Sequence, residues 1–311
     1  MIKPIQKFYL DTIPISKEGR VVCLGMFDGL HEGHEQIIRK AVSIAKKLKL
    51  KTCVQTFTGL AKSGEGVLYT VDERIAVLES WGVDEVLVLN YAEVKDMTAE
   101  DYMVRVIKLA MNAHTVICGF DYTFGRGGLG TADLLSSFCS NNLIDIEVVP
   151  ELKDISGRKI STAWLKEALA SGDTELASRL CSGRDFFYSG RVCKGKMLGR
   201  KMGFPTANLD ITEEKFKVRR GVYVVSVILG ARTLYGVANV GLRPTVEDAV
   251  SDVIETYIFD FDEDIYGAYI RTELLKFLRP ETQFGSKEEL ISAVERNKIE
   301  AKEYLKAHGL E

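Results

Sequence analysis

In the first half of the chain, short all-apolar runs alternate with longer segments whose apolar positions recur every three or four residues. Val21-Val22-Cys23-Leu24 reads as a buried strand. Ile37, Ile38, Ala41, Ala45 and Leu48 then fall on one helical face. Further strands are expected at 52–57, 86–89, 115–118 and 144–149. Helices are expected at 72–81, from Thr98 (an N-cap with Asp101 three residues on) and at 131–141. Strands alternating with helices predict an α/β fold, a Rossmann-like parallel sheet covered on both faces. Ligands of such sheets bind at the carboxyl ends of strands, near a change in strand order.

The helical pattern continues through 162–169 and 174–181, and Ser182-Gly183 then punctuates the chain. Beyond it, 221–229, 234–240, 254–261 and 269–275 read as strands separated by Gly, Asp and Asn, with almost no helix between them. That texture predicts a mainly β barrel. A closing helix begins at Ser286, where Glu289 completes a capping box and Leu290, Val294, Ala301, Tyr304 and Leu305 form the packed side. Two different textures imply two domains, placed at 1–182 and 184–311.

Composition narrows the partners. The 311 residues are 46% hydrophobic and 27% charged, with a formal net charge of −3. From Asp185 onward there are 19 basic and 20 acidic residues, against 22 and 24 before it. Neither half is basic, so a nucleic-acid partner is not expected. Cysteines 23, 53, 118, 139, 181 and 193 form no C-x-x-C pair and read as reduced thiols. No apolar run reaches membrane-spanning length, and Met1-Ile2-Lys3-Pro4 starts no apolar leader. A cytoplasmic protein acting on small molecules is expected, with self-association weak if present.

The first candidate site follows the 21–24 run: Gly25-Met26-Phe27-Asp28-Gly29-Leu30-His31-Glu32-Gly33-His34. Two of the four histidines sit here. A strand, a glycine turn, paired imidazoles and a helix start together seat a nucleotide phosphate, which points to ATP chemistry at the α-phosphate. A polar turn with two exposed histidines is the plainer alternative, and the set is poor for zinc. Gly119-Phe120-Asp121-Tyr122-Thr123-Phe124-Gly125 follows the 115–118 strand. It runs on through Arg126-Gly127-Gly128-Leu129-Gly130, which reads either as a mobile loop near a ligand or as a simple turn with core aromatics.

The second candidate site is the 190–208 window, with five basic residues and four glycines, ending Phe204-Pro205-Thr206-Ala207-Asn208. It lacks the Gly-Lys-Ser/Thr of a Walker A loop, so another ATP-binding architecture is required. Downstream, Glu255 is a lone carboxylate in an apolar, alternating strand. An outward-facing edge glutamate would look the same. Asp260, Asp262, Glu263 and Asp264 read as a hairpin turn.

The G-x-F-D-G-x-H-x-G-H and G-F-D-Y-x-F-G segments, with the second-half motifs, resemble the prokaryotic bifunctional riboflavin kinase/FAD synthetase family from about Val21 to Leu305. The resemblance implies two ATP- and Mg²⁺-dependent steps: riboflavin to FMN in the second domain and FMN to FAD in the first. For adenylylation it implies catalytic His31 and His34. It implies nucleotide contacts from Gly25, Phe27, Asp28, Gly29, Gly33, Ser161, Thr162 and Lys166, and flavin contacts from Asp121 and Phe124. For the kinase it implies Glu255 as general base, Gly195, Gly199 and Arg200 against ATP, Thr206 and Asn208 on Mg²⁺, and Arg279 and Phe284 on the flavin. Two segments depart from the family pattern. Ser161-Thr162-Ala163-Trp164-Leu165-Lys166 ends in a lysine where an arginine is common, and Phe57-Thr58-Gly59 replaces a Pro-His-Pro element. A riboflavin kinase with weak or lost FAD synthesis, and a non-catalytic flavin-binding regulator, stand as alternatives.

Overall fold

Five apolar runs of the first half become strands, preceded by one more: β1 (Gln6–Tyr9), β2 (Arg20–Leu24), β3 (Lys51–Thr58), β4 (Glu85–Asn90), β5 (Ala113–Gly119) and β6 (Asp145–Val149). This computed structural model describes residues 4–59, 66–195, 204–212, 214–244 and 250–310. The strands pair in parallel in the order β1-β4-β3-β2-β5-β6. β2 is buried along its whole length, which is why its sequence shows no polar alternation. Helix α1 (Glu32–Leu48) packs on β2, β3 and β5 through Ile37, Ile38, Ala41 and Ala45. α2 (Val71–Ser80) starts with a Thr70–Glu73 capping box. After β4 come α3 (Tyr91–Val94) and α4 (Ala99–Tyr102), the latter running into a π-helical stretch, Met103–Ala110. Val106, Ile107 and Met111 of that region join Leu24, Leu87, Leu89, Val116 and Leu135 of α5 (Ala132–Asn141) in one core.

From β2 the chain builds outward to β3 and β4, then comes back to set β5 and β6 on the other side. The change of direction lies between β2 and β5. Their carboxyl ends carry Gly25 and Gly119, so the expected turn and the Gly119–Gly130 loop both open at the switch point.

The second half contains α6 (Thr162–Ser171), α7 (Thr174–Leu180), β7 (Phe186–Arg191), β8 (Ala207–Asp210), β9 (Gly221–Leu229), β10 (Arg232–Pro244), β11 (Val250–Ile258), β12 (Tyr269–Pro280) and α8 (Lys287–Ala307). The strands pair antiparallel in the order β7-β12-β9-β10-β11-β8. Cys193 N donates to Asn208 O at 2.9 Å just past β7, so the sheet curls into a nearly closed barrel. α8 covers β9 and β10, with Ala301 and Leu305 buried against Val222, Val224 and Val237. Both expected architectures are present.

Three details differ from the sequence reading. β1, β7 and β8 were not anticipated: β1 and β8 are only four residues long, and β8 lies inside a polar motif. The acidic run 260–264 is no hairpin turn, because β11 and β12 are not neighbours and the loop crosses between them. At α8, Ser286 caps Glu289 N at 3.1 Å, but the Glu289 carboxylate takes Gly285 N–H at 2.8 Å and not that of Ser286.

Contacts divide the chain into units Met1–Thr162 and Ala163–Glu311. α6 and α7 group with the barrel. Thr174 Oγ1 donates to Leu275 O at 2.9 Å, and Arg219 N donates to Leu169 O at 3.0 Å.

Candidate functional site

In the first unit the chain bends sharply straight after β2. Phe27 and Leu30 hold left-handed backbone (φ 53° and 45°) although neither is glycine, and both side chains are buried. Core packing on these two rims therefore imposes the bend. Gly25 lies under the Phe27 ring, where a Cβ would come within 2.9 Å of it. Asp28 is buried, and its Oδ1 accepts from Leu68 N at 2.9 Å and Tyr69 N at 3.4 Å. It shapes the turn by tying it to the segment before α2.

His31 is the N-cap of α1, and its Nδ1 accepts from His34 N at 3.4 Å. The two imidazoles stack with centroids 3.7 Å apart and planes 18° apart, and Phe27 meets His34 edge-on at 5.2 Å. Paired rings thus stand at a helix start, where backbone N–H groups favour anions. Gly29 leaves room for Thr162 Oγ1, which would be 2.9 Å from a Cβ there; Gly33 is similarly close to the His31 ring at 3.3 Å. Ser161 directly precedes α6, and Thr162 is its first residue. Lys166 lies on α6 in the second unit, its Nζ 5.4 Å from the Phe216 ring.

The Gly119–Gly130 segment divides by role. Asp121 pairs with Lys159 at 2.5 Å. Phe124 is a core ring, stacked on Tyr122 and tilted against Tyr102, each at 5.5 Å. Of the glycines after it, read either as a mobile loop or as a simple turn, Gly125 and Gly130 are closely packed, whereas Gly127 and Gly128 are exposed. Arg126–Gly128 forms a 3-10 turn, Phe124 and Gly130 exchange backbone hydrogen bonds, and a Cβ on Gly130 would strike the Phe124 ring at 2.6 Å.

One contributor was missed by sequence reading. Arg74 of α2 is buried; Nη1 donates to Met26 O at 3.2 Å and to Thr56 Oγ1, and Nη2 to Phe57 O at 2.9 Å. It clamps the turn to the end of β3. A charged residue at a helical core position is its only sequence trace.

In the second unit two cavities, each of about 320 Å³, share one wall residue, Thr206. The first is bordered by Gly195, Thr206, Asn208 and Thr256, and by the crossing loop at Asp262 and Tyr266. The second is bordered by Thr206, Asn239, Glu255, Tyr257, Arg279 and Phe284, with Leu290 and Val294 of α8. Strand alternation explains the split along β11: Glu255 and Tyr257 face one cavity, Thr256 and Ile258 the other. Glu255 is half-buried and stands opposite Asn208 across β8 and opposite Asn239 across β10.

Asn208 is buried; its Nδ2 donates to Thr206 O at 3.1 Å and to Thr206 Oγ1 at 3.4 Å. Its Oδ1 has no partner among the described residues, and a Cβ on Gly195 would lie 2.7 Å from it. A buried amide oxygen of this kind beside a hydroxyl is a hard-donor pair suited to Mg²⁺, so the residues fit that ion. Among the described residues no cluster of His, Cys, Asp or Glu could hold a metal by itself. Gly199 and Arg200 lie outside the described residues.

Arg279 donates through Nε to Asn297 Oδ1 at 3.2 Å, and its guanidinium lies 5.4 Å from the Phe284 ring. Burial, with Arg296 nearby, lowers its pKa. Arg and Phe together make a flat wall. Phe204 and Tyr257 meet edge-on at 5.8 Å, with Lys298 of α8 above both rings. Tyr257 could have been found from its place two residues after Glu255. Leu290 and Val294, read as plain packing, line this cavity.

Two family models match. One described as FAD synthetase covers residues 13–163, and one described as riboflavin kinase covers 182–305. The chain is 31% identical to the bifunctional riboflavin kinase/FMN adenylyltransferase of Bacillus subtilis (strain 168), over 91% of this chain and 92% of that protein. It is 32% identical to the protein of the same name in Escherichia coli (strain K12), over 93% of each. A solved structure described as a macrolide-efflux protein from Streptococcus pneumoniae superposes with TM-score 0.83 at 31% identity, covering 96% of this chain and 99% of that one. Among the described residues of this chain, no helix is long and apolar enough to cross a membrane.

Proposed function

The chain belongs to the bifunctional riboflavin kinase/FMN adenylyltransferase family, and from that premise we propose which side chains carry each of its two transfers. The protein phosphorylates riboflavin to FMN and adenylylates FMN to FAD, consuming ATP at both steps with Mg²⁺. A kinase without adenylylation is not favoured, because both halves match and the relatives are bifunctional over nine-tenths of their length.

In the kinase site, riboflavin occupies the cavity of Glu255, Arg279 and Phe284, and the ATP phosphates occupy that of Gly195 and Asn208. Glu255 takes the proton of the terminal ribityl hydroxyl as that oxygen attacks the γ-phosphorus, whose bond to the β,γ-bridging oxygen breaks to release ADP. Thr206 and Asn208 would hold Mg²⁺, which when bound offsets phosphate charge. The observation that carries this reading is Thr206 in the wall of both cavities, with the base on the flavin side and the orphaned amide oxygen on the other.

In the adenylylation site, an FMN phosphate oxygen bonds to the α-phosphorus of ATP and pyrophosphate leaves. His31 and His34 donate to the triphosphate at the start of α1. Gly25, Phe27, Asp28, Gly29 and Gly33 set the bend that presents them. Ser161 and Thr162 complete the nucleotide side, while Asp121 and the segment pinned by Phe124 border the flavin. Near-balanced charge supports small-molecule substrates without nucleic acid, and cysteines without C-x-x-C pairing support a cytoplasmic location.

The test is to incubate the protein with riboflavin, ATP and Mg²⁺ and to separate the flavins over time. FMN followed by FAD is expected. FMN alone would make it a kinase only, and bound flavin without product would make it a regulator.

A further inference from the structure

Adenylylation brings two anions together, the FMN phosphate and the ATP α-phosphate. A cation is needed at the flavin side of the switch point, apart from the imidazoles on the nucleotide side. Lys159 is placed for this. It ends a hairpin that begins at Leu152: Ile160 N donates to Leu152 O at 2.9 Å, and Lys153 and Lys159 bridge.

That hairpin touches both halves of the crevice. A Cβ on Gly33 would be 3.8 Å from Leu152, and Thr162, three residues beyond Lys159, fills the space at Gly29. On the other side, Lys159 Nζ lies 2.5 Å from Asp121 Oδ2 and 4.6 Å from the centroid of the Phe120 ring, immediately after β5. Phe120 N donates to Val149 O at 2.9 Å, which fixes the ring beside the sheet edge.

All three groups remain open to solvent. The Lys159 and Asp121 side chains are 38% and 57% exposed, and Phe120 is 44% exposed. An exposed ion pair of this kind contributes little to stability. A half-exposed aromatic ring with an ammonium over one face leaves its other face for a flat ring and the ammonium for a phosphate. The neighbouring Arg126 is committed elsewhere, donating to Asp96 O from Nε at 3.1 Å and Nη2 at 2.9 Å.

We propose that Lys159 is a specificity-determining residue of adenylylation, its ammonium binding the phosphate of FMN while Phe120 meets the isoalloxazine. Asp121 holds the lysine in place until the phosphate arrives. The inference rests on the reading that the first unit adenylylates FMN.

The test uses the full-length protein, with Lys159→Met and Lys159→Arg, and lumiflavin, which has the ring but no ribityl phosphate, as competitor. Lys159→Met is expected to raise the KM for FMN about 10- to 100-fold. KM for ATP, inhibition by lumiflavin and riboflavin phosphorylation stay within about twofold, and Lys159→Arg restores most of the loss. An unchanged KM for FMN overturns the proposal. So does lumiflavin inhibition weakening in parallel with FMN, which would mean that Lys159 only props the Phe120 ring. Absence of FAD synthesis in the unsubstituted protein would instead overturn the functional reading beneath it.

Discussion

In the first unit, the groups assigned to ATP come chiefly from one continuous turn, Gly25 to His34, bent by two buried left-handed residues and capped by His31. In the second unit, the assigned groups come from separate strands and a helix: Thr206 and Asn208 at β8, Glu255 on β11, Arg279 at the end of β12, and the wall of α8. Both handle the same triphosphate. As proposed, one relies on backbone N–H groups and imidazoles at a helix start, the other on hard oxygen donors set by strand register. A local site tolerates changes elsewhere in its sheet. A register-built site needs every strand in phase, since a slip of one residue would turn Glu255 out of the flavin cavity.

The contrast is sharpest at the two proton-handling groups. Glu255→Gln keeps the shape of the carboxylate but cannot accept a proton. FMN formation is expected to fall about 10²- to 10⁴-fold, while FAD formation from supplied FMN continues, read by separating the flavins. Loss of both activities in folded protein would merge the sites the comparison keeps apart.

His31→Ala acts in the other direction. FAD synthesis should drop about 10²- to 10³-fold. The lost N-cap should cost about 1 kcal/mol of stability. Riboflavin phosphorylation in the same sample is the control and should stay within about twofold. A parallel fall in kinase rate would contradict the division of labour.

The smallest effect concerns a group outside both sites. Burial raises the pKa of Asp185 despite an opposing hydrogen bond from Ser178. Folding therefore favours the protonated form. Its contribution is fully present below the ordinary carboxylate value and is lost as pH rises through the raised one. Asp185→Asn should raise the melting temperature at pH 7 by about 2 °C, an advantage that fades below about pH 4. Both activities should be unaltered. A gain that persists in acid would point to a cause other than the charge.

The alternating half was legible because its central strands are buried on both faces and so appear as unbroken apolar runs, whereas the exposed edge strand β1 shows none. The histidine turn was legible because strand, glycines and helix cap are contiguous. What escaped depended on partners distant in sequence. β7 and β8 gain their strand character from β12 and β11, and β8 is too short to show a period of two. Arg74 acts on Met26 and Phe57 through the fold. Phe124 and the glycines after it look the same in sequence whether they line a ligand or pack a core. Packing against Tyr102 and Tyr122 decided the matter for the ring.

Thr206 borders both cavities of the barrel at once. On the proposed assignment, the vitamin and the phosphate donor lodge on either side of a single hydroxyl. Any exchange at that residue is felt by both guests, so the kinase cannot retune its grip on one without disturbing the other.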